Sequence, residues 1–336
     1  MTSKVILLAH GSGGTATHQL IEDLFLPRFN NTFLNDLTDS ALLPVAGENI
    51  LFTTDAYVVD PPFFPGGDIG RLSVNGTVND LSVCGGKPLY LSLSFILEEG
   101  FAIDKLEIIL QSIAEAAEEA GVVIVTGDTK VVGRGSVDKI FINTSGIASL
   151  ITPSALSVKN IKPGDAVVLS GSIGDHGIAV MLEREGLELK SGIMSDTAPL
   201  NRMAEEMLRE PDAVRFMRDP TRGGIATTLN EISGQTHLGI TIHEAAIPLR
   251  QEVAGASEIL GLDPLYIANE GKLIAIVAPD RADMIRGIMR NNRYGKEAAI
   301  IGTVTEEFPG RVILKTKVGG SRIVDMLAGE QLPRIC

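Results

Sequence analysis

The sequence has no tryptophan, two cysteines and 4% aromatic residues across its 336 positions. So few rings leave no row of stacking platforms for single-stranded nucleic acid. Cys84 and Cys336, with no CxxC pair, can build neither a disulfide framework nor a cysteine-rich zinc site. Positive charge is also scarce: 29 lysines and arginines stand against 42 acidic residues, a net charge of −13. That balance repels a phosphate backbone, so nucleic acid is not an expected partner. No apolar run approaches a bilayer crossing, and Val5-Ile6-Leu7-Leu8-Ala9 is too brief even for a signal-peptide core. A cytoplasmic chain without membrane contact is the expectation. Cys336 stands last, not fourth from last, so no CaaX prenylation is expected.

What is present suits a globular protein. With 44% hydrophobic and 21% charged residues the chain can bury a sizeable core, and its length suggests two domains. In the first half, Asp68 is placed to cap a helix holding Leu72, Asn75, Asn79, Leu81 and Val83, stopped by Gly85-Gly86; Cys84 in its last turn reads as a buried structural thiol. Alternation over 88–97 predicts a strand. Leu106, Ile109, Leu110, Ile113, Ala116, Ala117 and Ala120 form one stripe of a helix over 104–120, ended by Gly121. A buried strand over 122–126 then opens into Gly127-Asp128-Thr129-Lys130, and 139–150 reads as another strand. Residues 151–164, with two prolines and several serines, are the linker candidate. Strands over 165–170, 240–243, 273–277, 299–304 and 312–314, with helices after 178 and over 282–290, make a second α/β unit.

Several turns have the composition of ligand loops. His10-Gly11-Ser12-Gly13-Gly14 is an amide-rich turn able to wrap phosphate oxygens, although no Gly-Lys-Ser/Thr follows as a Walker loop requires. Gly171-Ser172-Ile173-Gly174-Asp175-His176-Gly177 and Asp219-Pro220-Thr221-Arg222-Gly223-Gly224 each precede a helix whose N-terminus favours an anion. His243-Glu244 begins like a zinc-protease helix, but Ile247 stands where the second histidine is needed. Asp55 at the end of a strand over 51–55, with Tyr57-Val58-Val59 able to resume it, Asp80 on a helix and Asp128 after a strand put three carboxylates on three elements. Around a triphosphate they would bring about seven negative charges, which only divalent cations neutralise, so such a site would require roughly two or more Mg²⁺ ions. Gly319, Gly320, Gly329 and Pro333 argue against a helix leading to Cys336, and the nine residues from Ala328 span roughly 30 Å when extended.

Together, Gly11-Ser12-Gly13-Gly14, Thr54-Asp55-Ala56, Val78-Asn79-Asp80-Leu81, Gly127-Asp128-Thr129-Lys130, the Asp219 to Gly224 turn, Ala268-Asn269-Glu270-Gly271 and Pro333-Arg334-Ile335-Cys336 resemble the hydrogenase maturation family HypE, over residues 10–336. The aspartate motifs alone indicate only the wider superfamily of aminoimidazole ribonucleotide synthetase, selenophosphate synthetase and thiamine-phosphate kinase; Pro-Arg-Ile-Cys narrows it. The resemblance implies an α+β, two-domain PurM-like fold. Residues 1–150 would bind ATP and pair with a second copy into a β-barrel, making a homodimer; 151–318 would form an α/β sandwich, and 319–336 a mobile tail.

It also implies ATP-dependent dehydration of a carbamoyl group placed on Cys336 by the carbamoyltransferase HypF. The product, a thiocyanate, passes its cyanide to a HypC–HypD iron complex for a nickel–iron hydrogenase. An amide oxygen is a poor leaving group until phosphorylated, and Mg²⁺ on Asp55, Asp80 and Asp128 would spread the developing charge. Nucleotide contacts would come from Gly11, Ser12, Gly13, Gly14, Asn79, Gly127, Asp128, Thr129, Asp219 and Arg222. Two N–H protons must leave, and the resemblance offers Glu270, the favoured base, and Lys130, shared between base and phosphate clamp. Two rivals predict otherwise: a sibling kinase or synthetase acting on a free small molecule, with Cys336 incidental, and a nucleotide-sensing scaffold whose cysteine binds metal or a partner.

Overall fold

The computed structural model describes residues 14–29, 37–45, 48–152, 156–186, 192–329 and 332–336. The apolar run Val5 to Ala9, together with His10, Gly11, Ser12 and Gly13, lies outside the described residues, as do positions 153–155 of the expected linker.

Helix α1 (Thr15–Leu20) continues through a π-helical turn into α2 (Leu26–Phe29). Five strands then build the first sheet: β1 (Ala41–Val45), β2 (Glu48–Tyr57), β5 (Gly86–Glu98), β6 (Val123–Val132) and β7 (Ile140–Leu150), in the order β1-β2-β7-β5-β6. Only β5 and β6 run parallel, joined by a helical crossover; the other neighbours are antiparallel. A two-residue ribbon, β3 (Phe63–Phe64) with β4 (Gly67–Asp68), delivers the chain to α3 (Ile69–Val83). The Asp68 carboxylate accepts from the amides of Gly70 at 2.7 Å and Arg71 at 3.0 Å, so the expected cap exists and satisfies two donors that the first turn cannot. Helix α4 (Ile103–Ala120) ends at Gly121, whose φ of +73° is the left-handed C-terminal cap. Its buried face of Ile109, Ile113, Ala116, Ala117 and Ala120 packs with Leu72, Val74 and Val78 of α3 into the first core.

The second sheet has seven strands: β8 (Ala166–Leu169), β9 (Val214–Arg218), β10 (Gly239–His243), β11 (Ile274–Val277), β12 (Ala299–Thr305), β13 (Val312–Lys315) and β14 (Ser321–Val324), ordered β14-β13-β10-β12-β8-β11-β9. One face is covered by α7 (Gly224–Thr236), through Ile225, Leu229 and Ile232. The other is covered by α6 (Asn201–Leu208) and α9 (Ala282–Asn291), through Met203, Met207, Ile285 and Met289. Helices α5 (Asp175–Arg184) and α8 (Gln251–Leu260) form a smaller cluster around Ile178, Val253 and Ile267. The second unit buries α3 from its far side: Asn79 donates to the carbonyls of Ala198 and Glu270 and accepts from the Leu200 amide.

Three expectations are corrected. Strand β6 does not stop at Thr126 but runs through Gly127-Asp128-Thr129-Lys130 to Val132, because its backbone pairs in parallel with β5 as far as Glu98. Gly127 fits this pairing by close approach: a Cβ there would lie 2.3 Å from the Leu93 carbonyl oxygen. Asp55 likewise sits inside β2 rather than at its end, with the strand paired to β7 on through Tyr57. Residues 321–324, expected in a mobile tail, are β14, paired antiparallel with β13, and residues 332–336 are docked on the first unit.

Candidate functional site

Between the two sheets lies a cavity of about 190 Å³ lined by Asp55, Tyr57, Asp80, Asp219, Arg222, Glu270 and Cys336, with Asp39, Arg218 and Glu231 at its side. Sequence positions from 39 to 336 meet here because each element ends or passes at the same place. Strand β2 presents Asp55, the C-terminal turn of α3 presents Asp80, and the turn after β9 presents Asp219 and Arg222. The turn before β11 presents Glu270. Gly76 on α3 makes room for the wall, since a Cβ would stand 2.2 Å from the Tyr57 hydroxyl.

The acids are crowded and dry. Thr77 donates to Asp55 at 2.8 Å, and Thr53 donates to Asp80 at 3.2 Å. Burial first, then the charges of Asp55, Asp219 and Asp39, pushes Asp80 well above the carboxylate range. Burial also raises Asp55, and it lifts Asp219, with Asp39 adding repulsion, to about 8. Glu270 is 3% exposed and displaced well upward by burial and then by Asp219 and Asp196; its Oε1 has no hydrogen-bond partner. Its backbone is fixed nonetheless, the amide donating to Asp196 Oδ1 at 3.0 Å and the carbonyl accepting from Asn79 at 3.2 Å.

Cys336 enters this wall from outside the sheets. The amides of Val58 and Asp60 donate to the main-chain oxygens of Cys336 and Arg334 at 3.0 and 3.1 Å. Arg184 spans the carbonyls of Asp60 and Arg334 at 2.7 and 2.8 Å, and the Arg334 guanidinium meets Asp138. Ile335, 3% exposed, joins the core of the first unit. Burial pushes the Cys336 thiol up to about 12, with Arg222 pulling the other way.

The chain does not bring all the expected residues together. Asp128 and Lys130 pair with each other at 3.2 Å on β6, 61% and 71% exposed, and neither lines the cavity, as Thr129 does not. The extension of β6 past residue 126 is the cause, since it carries all three along an edge strand. Asn79, expected at the nucleotide, is 1% exposed with its amide committed to three backbone partners, so it positions Glu270 instead. Gly14 precedes α1 against the carbonyl of Leu327, to which Thr15 donates at 3.0 Å. Among the described residues no three His, Cys, Asp or Glu side chains converge as a metal site, so the expected trio of Asp55, Asp80 and Asp128 is not assembled within one chain.

Four participants have no local signature. Arg218 bridges Asp39 and Glu231 at 3.0 Å each, and His18 meets Glu231 at 2.9 Å, which raises the histidine. They border a larger cavity of about 870 Å³, lined also by Ile21, Leu43 and Phe52, that shares Asp39, Arg218, Arg222 and Glu231 with the first. The one available clue was that Arg218 directly precedes the Asp219-Pro220 turn.

Comparison with known proteins places this geometry. AIR synthase related protein, N-terminal domain, matches residues 37–150, and AIR synthase related protein, C-terminal domain, matches 162–315. A carbamoyl dehydratase HypE of Cupriavidus necator is 52% identical over 330 residues, covering 98% of this chain and 94% of its own. A crystal structure of a HypE–HypF complex superposes with a TM-score of 0.87 at 50% identity, covering 92% of this chain and 99% of that one. A HypE in complex with ATP gives 0.83 at 50% identity, covering 99% and 100%.

Proposed function

The chain belongs to the HypE family, whose members are named carbamoyl dehydratases, and from that premise we propose that it converts a carbamoyl group on Cys336 into a thiocyanate at the expense of ATP. The observation that carries the reading is that Cys336 lies on the wall of the same cavity as Asp55, Asp80 and Glu270. Neither a free-substrate kinase nor a sensing scaffold requires that placement.

The residues fit Mg²⁺ and ATP. Asp55 and Asp80 are adjacent desolvated carboxylates, both raised by burial and Asp80 also by the charges of Asp55 and Asp219, which a hard cation relieves, and Mg²⁺ typically takes one or two carboxylates with the rest of its shell from water and phosphate. Arg222 and Arg218 face the same space and suit phosphate oxygens, while the larger adjoining cavity with Ile21, Leu43 and Phe52 suits a nucleoside. When bound, MgATP supplies the phosphoryl group that makes the carbamoyl oxygen a leaving group.

The chain's own residues do the rest. The amides of Val58 and Asp60 and the guanidinium of Arg184 hold the carrier segment, which turns an encounter into a fixed geometry. Glu270, whose Oε1 is unpartnered, acts in its ionised form, which Arg222 favours against the burial that opposes it, and takes a proton from the carbamoyl nitrogen. The nitrogen lone pair forms the C–N multiple bond as the oxygen departs in inorganic phosphate, so the sum is thiocarbamate plus ATP giving thiocyanate, ADP and phosphate. Arg222 balances the acids around the sulfur.

Asp128 and Lys130 enter this reading through a homodimer. Strand β6 is a sheet edge with Val123, Val125 and Val131 between 56% and 65% exposed, a surface that pairing with a second β6 would cover while bringing Asp128 and Lys130 to the partner's site. Lys130 then serves as second base or phosphate clamp. The complex of a relative with HypF supports HypF as the carbamoyl donor, and a HypC–HypD complex is the expected acceptor. Intact-mass measurement tests the reading: after carbamoylation, MgATP should remove one water from the peptide bearing Cys336. Retention of the carbamoyl mass, or undiminished substrate-dependent ATP turnover in Cys336→Ala, would refute it.

A further inference from the structure

Among the groups that hold the carrier segment, His176 has no place in the chemistry above, yet it is the most deeply buried of them. It is the second residue of α5, 0% exposed, and the Phe64 ring meets it edge-on at a centroid distance of 5.3 Å and an angle of 89°. Its Nε2 lies 2.8 Å from the carbonyl oxygen of Ile335. A carbonyl only accepts, so Nε2 carries the proton and donates. The neutral ring then offers Nδ1 as acceptor, and the Ser195 hydroxyl stands 2.8 Å from it. Ser195 Oγ in turn accepts from the Thr197 amide at 3.1 Å, which leaves its own proton free to point at Nδ1. Donation therefore runs in one direction, from Thr197 N–H through Ser195 and His176 to the Ile335 carbonyl. Burial lowers the proton affinity of the ring, which keeps it in the neutral form this chain of donors needs.

The residue after Ser195 serves the other reaction partner. Asp196 accepts from the Glu270 amide through Oδ1 and from Lys272 Nζ at 2.8 Å through Oδ2. The segment carrying both is fixed at each end: the Ser195 amide donates to Pro65 O at 2.7 Å, and Asn79 donates to Ala198 O at 3.0 Å. One dipeptide thus fixes the orientation of the carrier's holder and of the base.

We propose that His176 is the latch of the docked carrier: a positioning residue that holds the Ile335 carbonyl, keeps the Cys336 sulfur on the cavity wall, and is registered with Glu270 through Ser195–Asp196. Its catalytic consequence rests on the dehydratase reading; the docking it controls does not. Alkylation of Cys336 in the full-length chain, followed by peptide-resolved mass spectrometry without nucleotide or carbamoyl group, reads docking directly. His176→Phe keeps an aromatic ring against Phe64 but strands a buried carbonyl, so Cys336 should label about tenfold faster than in the wild type. His176→Gln restores an amide donor near the Nε2 position and should label within about threefold of wild type. Unchanged melting temperature and unchanged labelling of Cys84 identify an intact fold. If His176→Phe does not fold, Ser195→Ala takes its place and should label about threefold faster, since it removes the partner that fixes the ring's tautomer. Equal rates in wild type and the folded donor-less variant, or a Gln variant as fast as the Phe variant, would overturn the latch. Labelling that responds as stated while no dehydration is seen would leave the latch standing and remove the dehydratase reading.

Discussion

Glu270→Gln separates the two jobs assigned to this side chain. The substitution keeps the volume, the backbone amide bonded to Asp196 and the carbonyl bonded to Asn79, and removes only the ionisable group. A positioned general base contributes typically 10²–10⁴-fold, so single-turnover dehydration of carbamoylated Cys336, followed by intact mass, should slow by about that factor. Electrostatics act in the opposite sense on the ligand. Glu270 and Asp219 repel each other across a dry cavity, and Asp219 is already raised to about 8. Removing one acid lowers the proton affinity of those that remain and makes room for polyphosphate, so the dissociation constant for MgATP, read by calorimetry, should stay the same or fall. A variant that dehydrates at the wild-type rate, or one that loses ATP binding in step with turnover, would refute the assignment of Glu270 as base.

Asn79→Ala should destabilise the chain by ~3 kcal/mol or more, because three buried backbone groups lose their partner; chemical denaturation checks this, and a loss below ~1 kcal/mol would contradict the role given to its amide. Asp80→Asn should raise the melting temperature of the ligand-free chain, by relief of like charges on the order of 1 kcal/mol, while abolishing the Mg²⁺ dependence of ATP binding. Stability of the free chain should also fall as pH rises from about 4 to 8. At Asp55, Asp80 and Asp219 burial raises the proton affinity, so these carboxyls hold more protons in the folded state than in the unfolded chain, up to about 8 at Asp219; a melting temperature that rises across that window, without Mg²⁺, would contradict the account. Docking of Cys336 has its own pH signature. The thiol sits at about 12 when docked against an ordinary value near 9, so the docked form holds its proton more tightly and docking should weaken tenfold per pH unit from about 9 to 12. A carbamoylated sulfur has no proton to lose, and protection of the loaded segment from proteolysis should be flat over the same range.

Much of the scaffold was legible because local and long-range signals agree. Helix α3 has both a capping carboxylate at Asp68 and a glycine stop, and α4 has a continuous apolar stripe that the first core uses directly. Strand β6 departs from its local signal for the opposite reason. Gly127-Asp128-Thr129-Lys130 has the composition of a turn, and only pairing with β5, invisible in local sequence, keeps it extended. The site divides the same way. Asp55, Asp80, Asp219, Arg222, Glu270 and Cys336 were named from their motifs and do share one cavity. Asp39, Arg218 and Glu231 were not, since a single charged residue on a strand or helix has the look of a solvated surface until the fold buries it. Asn79 belonged to the right motif with a different task, because its distance from the ligand space depends on how α3 packs against residues 198–200. The contact between His176 and Ile335 crosses 159 positions of sequence and has no pattern to betray it.

Infrared spectroscopy of the full-length chain, loaded at Cys336 with a ¹³C-labelled carbamoyl group by a HypF-type carbamoyltransferase, is the most direct test of whether this sulfur carries its own cargo into the phosphorylating cavity. Addition of MgATP should produce a nitrile stretch, shifted by the label and stoichiometric with the chain, that Cys336→Ala never shows. ATP consumed with no nitrile band, or an equal band from Cys336→Ala, would contradict it.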